Sequence, residues 1–121
     1  MSCTNALHLG NSQKEWLRKL DFYFTEIEFL EGRLSEMKKR KGMSREVAAF
    51  HYEFSLLRTN IDQLKHQIRS LAHMVADGAQ QHDGKIEGAL LEDQDKIEGD
   101  MFGLEMNMKE IHRDFNKYLA N

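Results

Sequence analysis

Residues 44–77 read SREVAAFHYEFSLLRTNIDQLKHQIRSLAHMVAD, and they decide the fold. Val47, Phe50, Phe54, Leu57, Ile61, Leu64, Ile68, Leu71 and Val75 recur there in steps of three and four, with no polar residue among them. That alternation gathers all nine onto one stripe of a helix, the pattern of helices that pack along their length. Ser44 is a natural N-cap, because its hydroxyl can accept a bond from a free amide of the first turn. Asp77-Gly78 supplies a stop, since glycine readily takes the left-handed conformation that closes a helix. The spacing predicts a helix over 45–77, followed by a polar loop through Gln80, Gln81 and His82.

The same reading extends to both sides. Upstream, Ser12-Gln13-Lys14-Glu15 has the form of a capping box, in which Ser and Glu side chains each bond the other's free amide. The stripe Trp16, Leu20, Tyr23, Ile27, Leu30, Leu34, Met37 follows, and Lys38-Lys39-Arg40-Lys41 fills the last turn before Gly42. Cations there oppose the negative end of the helix dipole. This predicts a first helix over 13–41 behind a flexible tail, residues 1–11. Downstream, Asp83 is the expected cap of a third helix over 84–119. Its stripe is Ile86, Leu90, Ile97, Met101, Leu104, Met108, Ile111, Phe115 and Tyr118. Asp93-Gln94 interrupts that stripe. Gly88, Gly99 and Gly103 weaken the helix by roughly 1 kcal/mol each relative to Ala, so tertiary packing has to hold it. Lys85-Ile86-Glu87-Gly88 recurs as Lys96-Ile97-Glu98-Gly99, a chance or local duplication rather than a functional repeat.

Short connections make neighbouring helices antiparallel. The expected fold is all-α: one domain over 12–121, an elongated up-down-up three-helix bundle with heptad packing and a left-handed supercoil. Composition agrees. The chain has no proline in 121 residues, where average usage would supply about six, and helix interiors exclude proline.

Chemistry is harder to find. The net charge of −3 is too mild to imply nucleic acid or membrane. Cys3 is the one cysteine, so no intrachain disulfide can form, which fits a cytoplasmic protein. No signal peptide or membrane span is expected. Three residues before the six histidines stand Asn5, Ala48, Gln63, Ser70, Ala79 and Lys109, none acidic, so the Glu-x-x-His pattern of bundle metal sites is absent. His73 and Asp77, four apart, read as a local ion pair, and His66 and His73 as exposed. No nucleophile elbow, P-loop or dinucleotide fingerprint occurs. We expect no enzyme activity, no cofactor and no metal.

Two surface features remain. In an antiparallel bundle Lys38, Lys39, Arg40, Lys41, Arg45, Arg113 and Lys117 gather at one end, while Asp77, Asp83, Glu87, Glu92 and Asp93 gather at the other. Dipole compensation accounts for much of this, at about 0.3–1 kcal/mol per charge. An anionic partner, nucleic acid or acidic protein, is the sharper reading of the basic end, though not the favoured one. The second feature is apolar. Phe22 and Phe29 lie on one flank of the first helix, while Leu17 and Phe24 widen the other. Gly99, Phe102, Gly103 and Met106 form a patch outside the third stripe, and Tyr52 and Leu56 are lesser candidates on the second helix. Exposed apolar patches mark contact sites, so the leading expectation is an interaction or scaffold protein. Its partner would be a second copy, as a homodimer, or another helical protein. A regulatory bundle binding a small ligand beside Asp93-Gln94 is a further alternative.

Overall fold

A computed structural model describes residues 6–81 and 88–121 of the chain. They form three helices, α1 (Ala6–Lys41), α2 (Arg45–Gln81) and α3 (Gly88–Ala120), with no strand among the described residues. Cross-helix contacts give the topology. Glu31 on α1 meets Arg58 on α2 at 2.6 Å, and Asp21 meets Lys65 at 2.7 Å, so one number falls as the other rises. Phe54 meets Phe115, while Leu64 and Leu104 line one groove farther along, so α3 is antiparallel to α2. Helices α1 and α3 therefore run parallel. α1 packs closely on α2 and α2 on α3, whereas α1 and α3 meet across a wider cleft. This is an all-α, up-down-up three-helix bundle.

The core is the set of three stripes. Among the described residues, every buried apolar side chain occupies a stripe position: Trp16 to Met37 on α1, Val47 to Val75 on α2, Ile97 to Phe115 on α3. Phe50, Leu90 and Tyr118 are half-buried at the margins. Ile86 lies outside the described residues. The largest fully buried side chains, Phe54 and Phe115, form an aromatic layer near the α1–α2 turn. There Phe115 stands edge-on to Phe54 at 5.4 Å and to Phe50 at 5.1 Å, an arrangement in which the positive ring edge meets a negative face.

The α1–α2 connection follows its residues. Gly42 has φ +82°, and its amide donates to the Lys38 carbonyl at 2.8 Å, closing α1 in the left-handed form. The Ser44 hydroxyl accepts from the Val47 amide at 3.1 Å, so Ser44 caps α2 as expected.

Three boundaries differ from the expectation. α1 starts at Ala6, so residues 6–11 are helix rather than tail, and Ser12 lies inside the helix instead of capping it. The stripe explains this, because it continues backwards in the same steps through Gln13, which is buried despite its amide. α2 runs through Asp77-Gly78 to Gln81, so Gln80 and Gln81 are helical too. One glycine costs only about 1 kcal/mol in a helix, which a continuing helix can absorb. α3 is described from Gly88. Residues 1–5 and 82–87 lie outside the described residues, and with them Cys3, His82, the Asp83 cap and all but Gly88 of the first copy of the Lys-Ile-Glu-Gly repeat.

Candidate interaction surface

The broad apolar arc of α1 resolves into two flanks with different fates. Leu17 and Phe24 pack against the core. From α2, Arg58 reaches over the Phe24 ring at 4.8 Å and Lys65 at 5.5 Å, so two cations face the negative ring. The same cations bind Glu31 and Asp21. The Lys65 ammonium, first by its hydrogen bond and then by its charge, holds the Asp21 carboxyl below its ordinary value. On the opposite flank Phe22 is 62 % exposed and Phe29 61 %. Arg33 lies 5.9 Å from the Phe29 ring centre.

Phe22 borders the wide α1–α3 cleft. A groove of about 540 Å³ there is floored by Phe22, Tyr23 and Met108 and rimmed by Arg18, Lys19, Glu26, Glu105, Lys109 and His112. Two polar contacts bridge it. The Tyr23 hydroxyl donates to Glu105 at 3.4 Å, and His112 Nδ1 lies 4.0 Å from Glu26. Burial first, then the Glu105 carboxylate, raises the Tyr23 phenol above its ordinary 10.0. The folded state thus holds this proton more tightly than the unfolded chain. The contribution is complete below about pH 10 and is lost as pH rises through the higher folded value. We expect thermal stability to fall above pH 10, and Tyr23→Phe to flatten that decline. Thermal melts of both proteins across pH 9–11 check this.

α3 keeps Phe102 64 % exposed and Met106 48 % exposed. Gly99 and Gly103 line a different groove, shared with Asn60, Gln63 and Gln67 of α2. A Cβ at either glycine would meet nothing within 4 Å, so neither is required by a close approach within this chain. The six candidate interface residues are all exposed, but no single groove gathers them. Tyr52 and Leu56 are exposed on α2.

The cations separate as their positions require. Lys38, Lys39, Arg40, Lys41 and Arg45 flank the α1–α2 turn, and all are exposed. Arg113 and Lys117 reach the same end beside Tyr118, which packs on Phe50 at 5.2 Å. Arg113 has an acidic neighbour, Asp114, at 3.7 Å. At the other end Asp77, Glu92 and Asp93 are exposed, while Asp83 and Glu87 lie outside the described residues.

Gln94, not Asp93, takes the stripe position between Leu90 and Ile97, and it is half-buried. Sequence reading missed its counterpart on α1. Gln13 is only 6 % exposed, and its Nε2 has no hydrogen-bond partner. Counting back equally from Tyr23 and Glu105, which touch across the parallel helices, brings Gln13 level with Gln94 to within a turn. The signal was present, because both glutamines stand at stripe spacing.

Among the described residues no group of three or more His, Cys, Asp or Glu side chains could hold a metal ion. His73 Nε2 lies 3.7 Å from Asp77, the local pair that the spacing suggests, and His66 and His73 are exposed. No described helix is long and apolar enough to cross a membrane. Comparison with protein-family models, curated proteins and solved structures finds no match to this chain.

Proposed function

We propose that this chain is a non-enzymatic interaction protein that self-associates through apolar residues left over by its own core. The observation that carries the reading is the exposure of Phe22, Phe29, Phe102 and Met106 beside an otherwise continuous core. Large aromatic side chains held in water are costly, by roughly 1.5–3 kcal/mol for each one that burial would otherwise stabilise. A second copy is the simplest cover, because twofold dimers are the commonest oligomers. The test is the solution mass by light scattering at tens of micromolar. The wild type is expected at twice the 14.2 kDa of one chain, and Phe22→Glu/Phe29→Glu at one chain's mass. Equal masses for the two proteins would overturn the role of these residues.

The basic end ranks second. Its support is that three helices deliver Lys38, Lys39, Arg40, Lys41, Arg45, Arg113 and Lys117 to one place. Most of them also sit where a helix C-terminal dipole favours a cation without any partner. A small-ligand reading has less support, since Asp93 is exposed and supplies no internal polar group.

A further inference from the structure

α3 carries a second stripe that its own core does not use. Asp95, Gly99, Phe102, Met106, Lys109 and Arg113 recur in alternating steps of four and three, and all are exposed. The order of charge along this face is the informative part. Glu92, Asp95 and Glu98 precede the apolar pair Phe102 and Met106, and Lys109, Arg113 and Lys117 follow it, with one acid, Glu110, among them. Reflected about the level of Leu104, three of the four acids on this face fall on a cation to within a residue, while Glu110 falls level with Glu98. Asp95 maps to Arg113, Glu98 to Lys109 and Glu92 to Lys117, while Phe102 maps to Met106.

Such near-antisymmetry favours an isologous antiparallel contact, because a twofold axis exchanges the two halves of the same surface. A parallel pairing would set each acid against itself and each cation against itself. A heterologous partner would need no such reflection. Gly99 has open space where a Cβ would stand, so two such helices can approach closely there.

We propose that two copies of this chain pair through the outer stripes of α3, antiparallel, about a twofold axis level with Leu104. The proposal rests on the self-association reading above and specifies its geometry. Phe102 of each copy then packs on Met106 of the other, between three ion pairs that each occur twice. From Glu92 to Lys117 the stripe runs about 38 Å, and a helix about 10 Å wide offers roughly 400 Å². A standard interface takes about 800 Å² from each partner, so α3 alone is half of one. Phe22 and Phe29 supply the adjoining ground on α1, and Phe22 already shares its groove with Lys109.

The test uses two charge-swapped chains, Asp95→Lys/Glu98→Lys and Lys109→Glu/Arg113→Glu. All four positions are exposed, and circular dichroism verifies that each variant folds. Alone, each variant opposes like charges at four places, and its dimer is expected to weaken roughly tenfold or more. Mixed in equal amounts, the variants regain every pair, and a heterodimer as tight as the wild type is expected. Spin labels at Asn116→Cys in a Cys3→Ser background read the direction. Antiparallel pairing separates them by about 36 Å along the axis, parallel pairing by about 10 Å. A monomeric wild type at tens of micromolar would overturn the self-association reading and this proposal together. A wild-type dimer whose swapped variants pair undiminished, or whose labels lie about 10 Å apart, would overturn the α3 geometry alone.

Discussion

Phe115→Ala is expected to remove about 3–5 kcal/mol of unfolding free energy. Phe115 is fully buried and stands edge-on to both Phe54 and Phe50. Truncation forfeits the transfer energy of the ring and leaves a cavity that α2 and α3 can close only in part. Each aromatic contact adds about 0.5–1.5 kcal/mol beyond area. Domains of this size hold about 5–15 kcal/mol in total, so the variant sits near the edge of folding. The melting temperature should drop by roughly 15 °C. Phe102→Ala is the control, an identical deletion at a 64 % exposed site. In dilute solution, where association contributes little, it should move the midpoint by only a degree or two. Similar losses for both would mean that the aromatic layer does not hold α3 to α2.

Gln13→Leu is expected to do the reverse and stabilise the bundle by about 1–2 kcal/mol. Gln13 sits on the α1 stripe, nearly fully buried, with an Nε2 that bonds nothing. A buried amide donor without a partner keeps its full desolvation penalty. Leucine has a similar volume and no donor to satisfy. The melting temperature should rise by roughly 3–8 °C, with an unchanged denaturant slope showing that the same surface is buried. A polar group kept in a heptad seam can also fix the register of its neighbours. Gln13 stands close to the level of half-buried Gln94, so the two glutamines are placed to share that task. A lower melting temperature for Gln13→Leu would show that the amide has a partner in solution.

The stripes were legible in the sequence because burial imposes a period. Among the described residues, every buried apolar side chain of α1, α2 and α3 falls on a position that the three-four spacing selects. Ser44 and Gly42 were legible for a different reason, since each meets a need of the backbone itself: an acceptor for a free amide and a left-handed turn. Where the reading failed, it trusted local punctuation over the seam. Ser12-Gln13-Lys14-Glu15 has the form of a helix start, but the stripe runs on beneath it through a buried glutamine. Gly78 has the form of a stop, but α2 passes through it.

The surface was legible only in part. Helical phase identified Phe22, Phe29, Phe102 and Met106 as lying outside the core. Phase alone could not say that Phe24 would be covered by Arg58 and Lys65 while Phe22 faced an open cleft. That distinction depends on which neighbour lies on which side, and so on the close α1–α2 seam and the wider α1–α3 one. Gly103 looks like part of one patch with Phe102 along α3, yet it lines the groove toward α2, and Gly99 borders both that groove and the outer stripe. The charge order along α3 was visible from the start. It became an argument about pairing once the residues proved to share one exposed face.

Sedimentation velocity of the unmodified chain, run over a dilution series from high to low micromolar concentration, tests self-association most directly. A reversible shift is predicted, from a species of two chains at the high end toward one of 14.2 kDa on dilution. A single 14.2 kDa species at every concentration would contradict it.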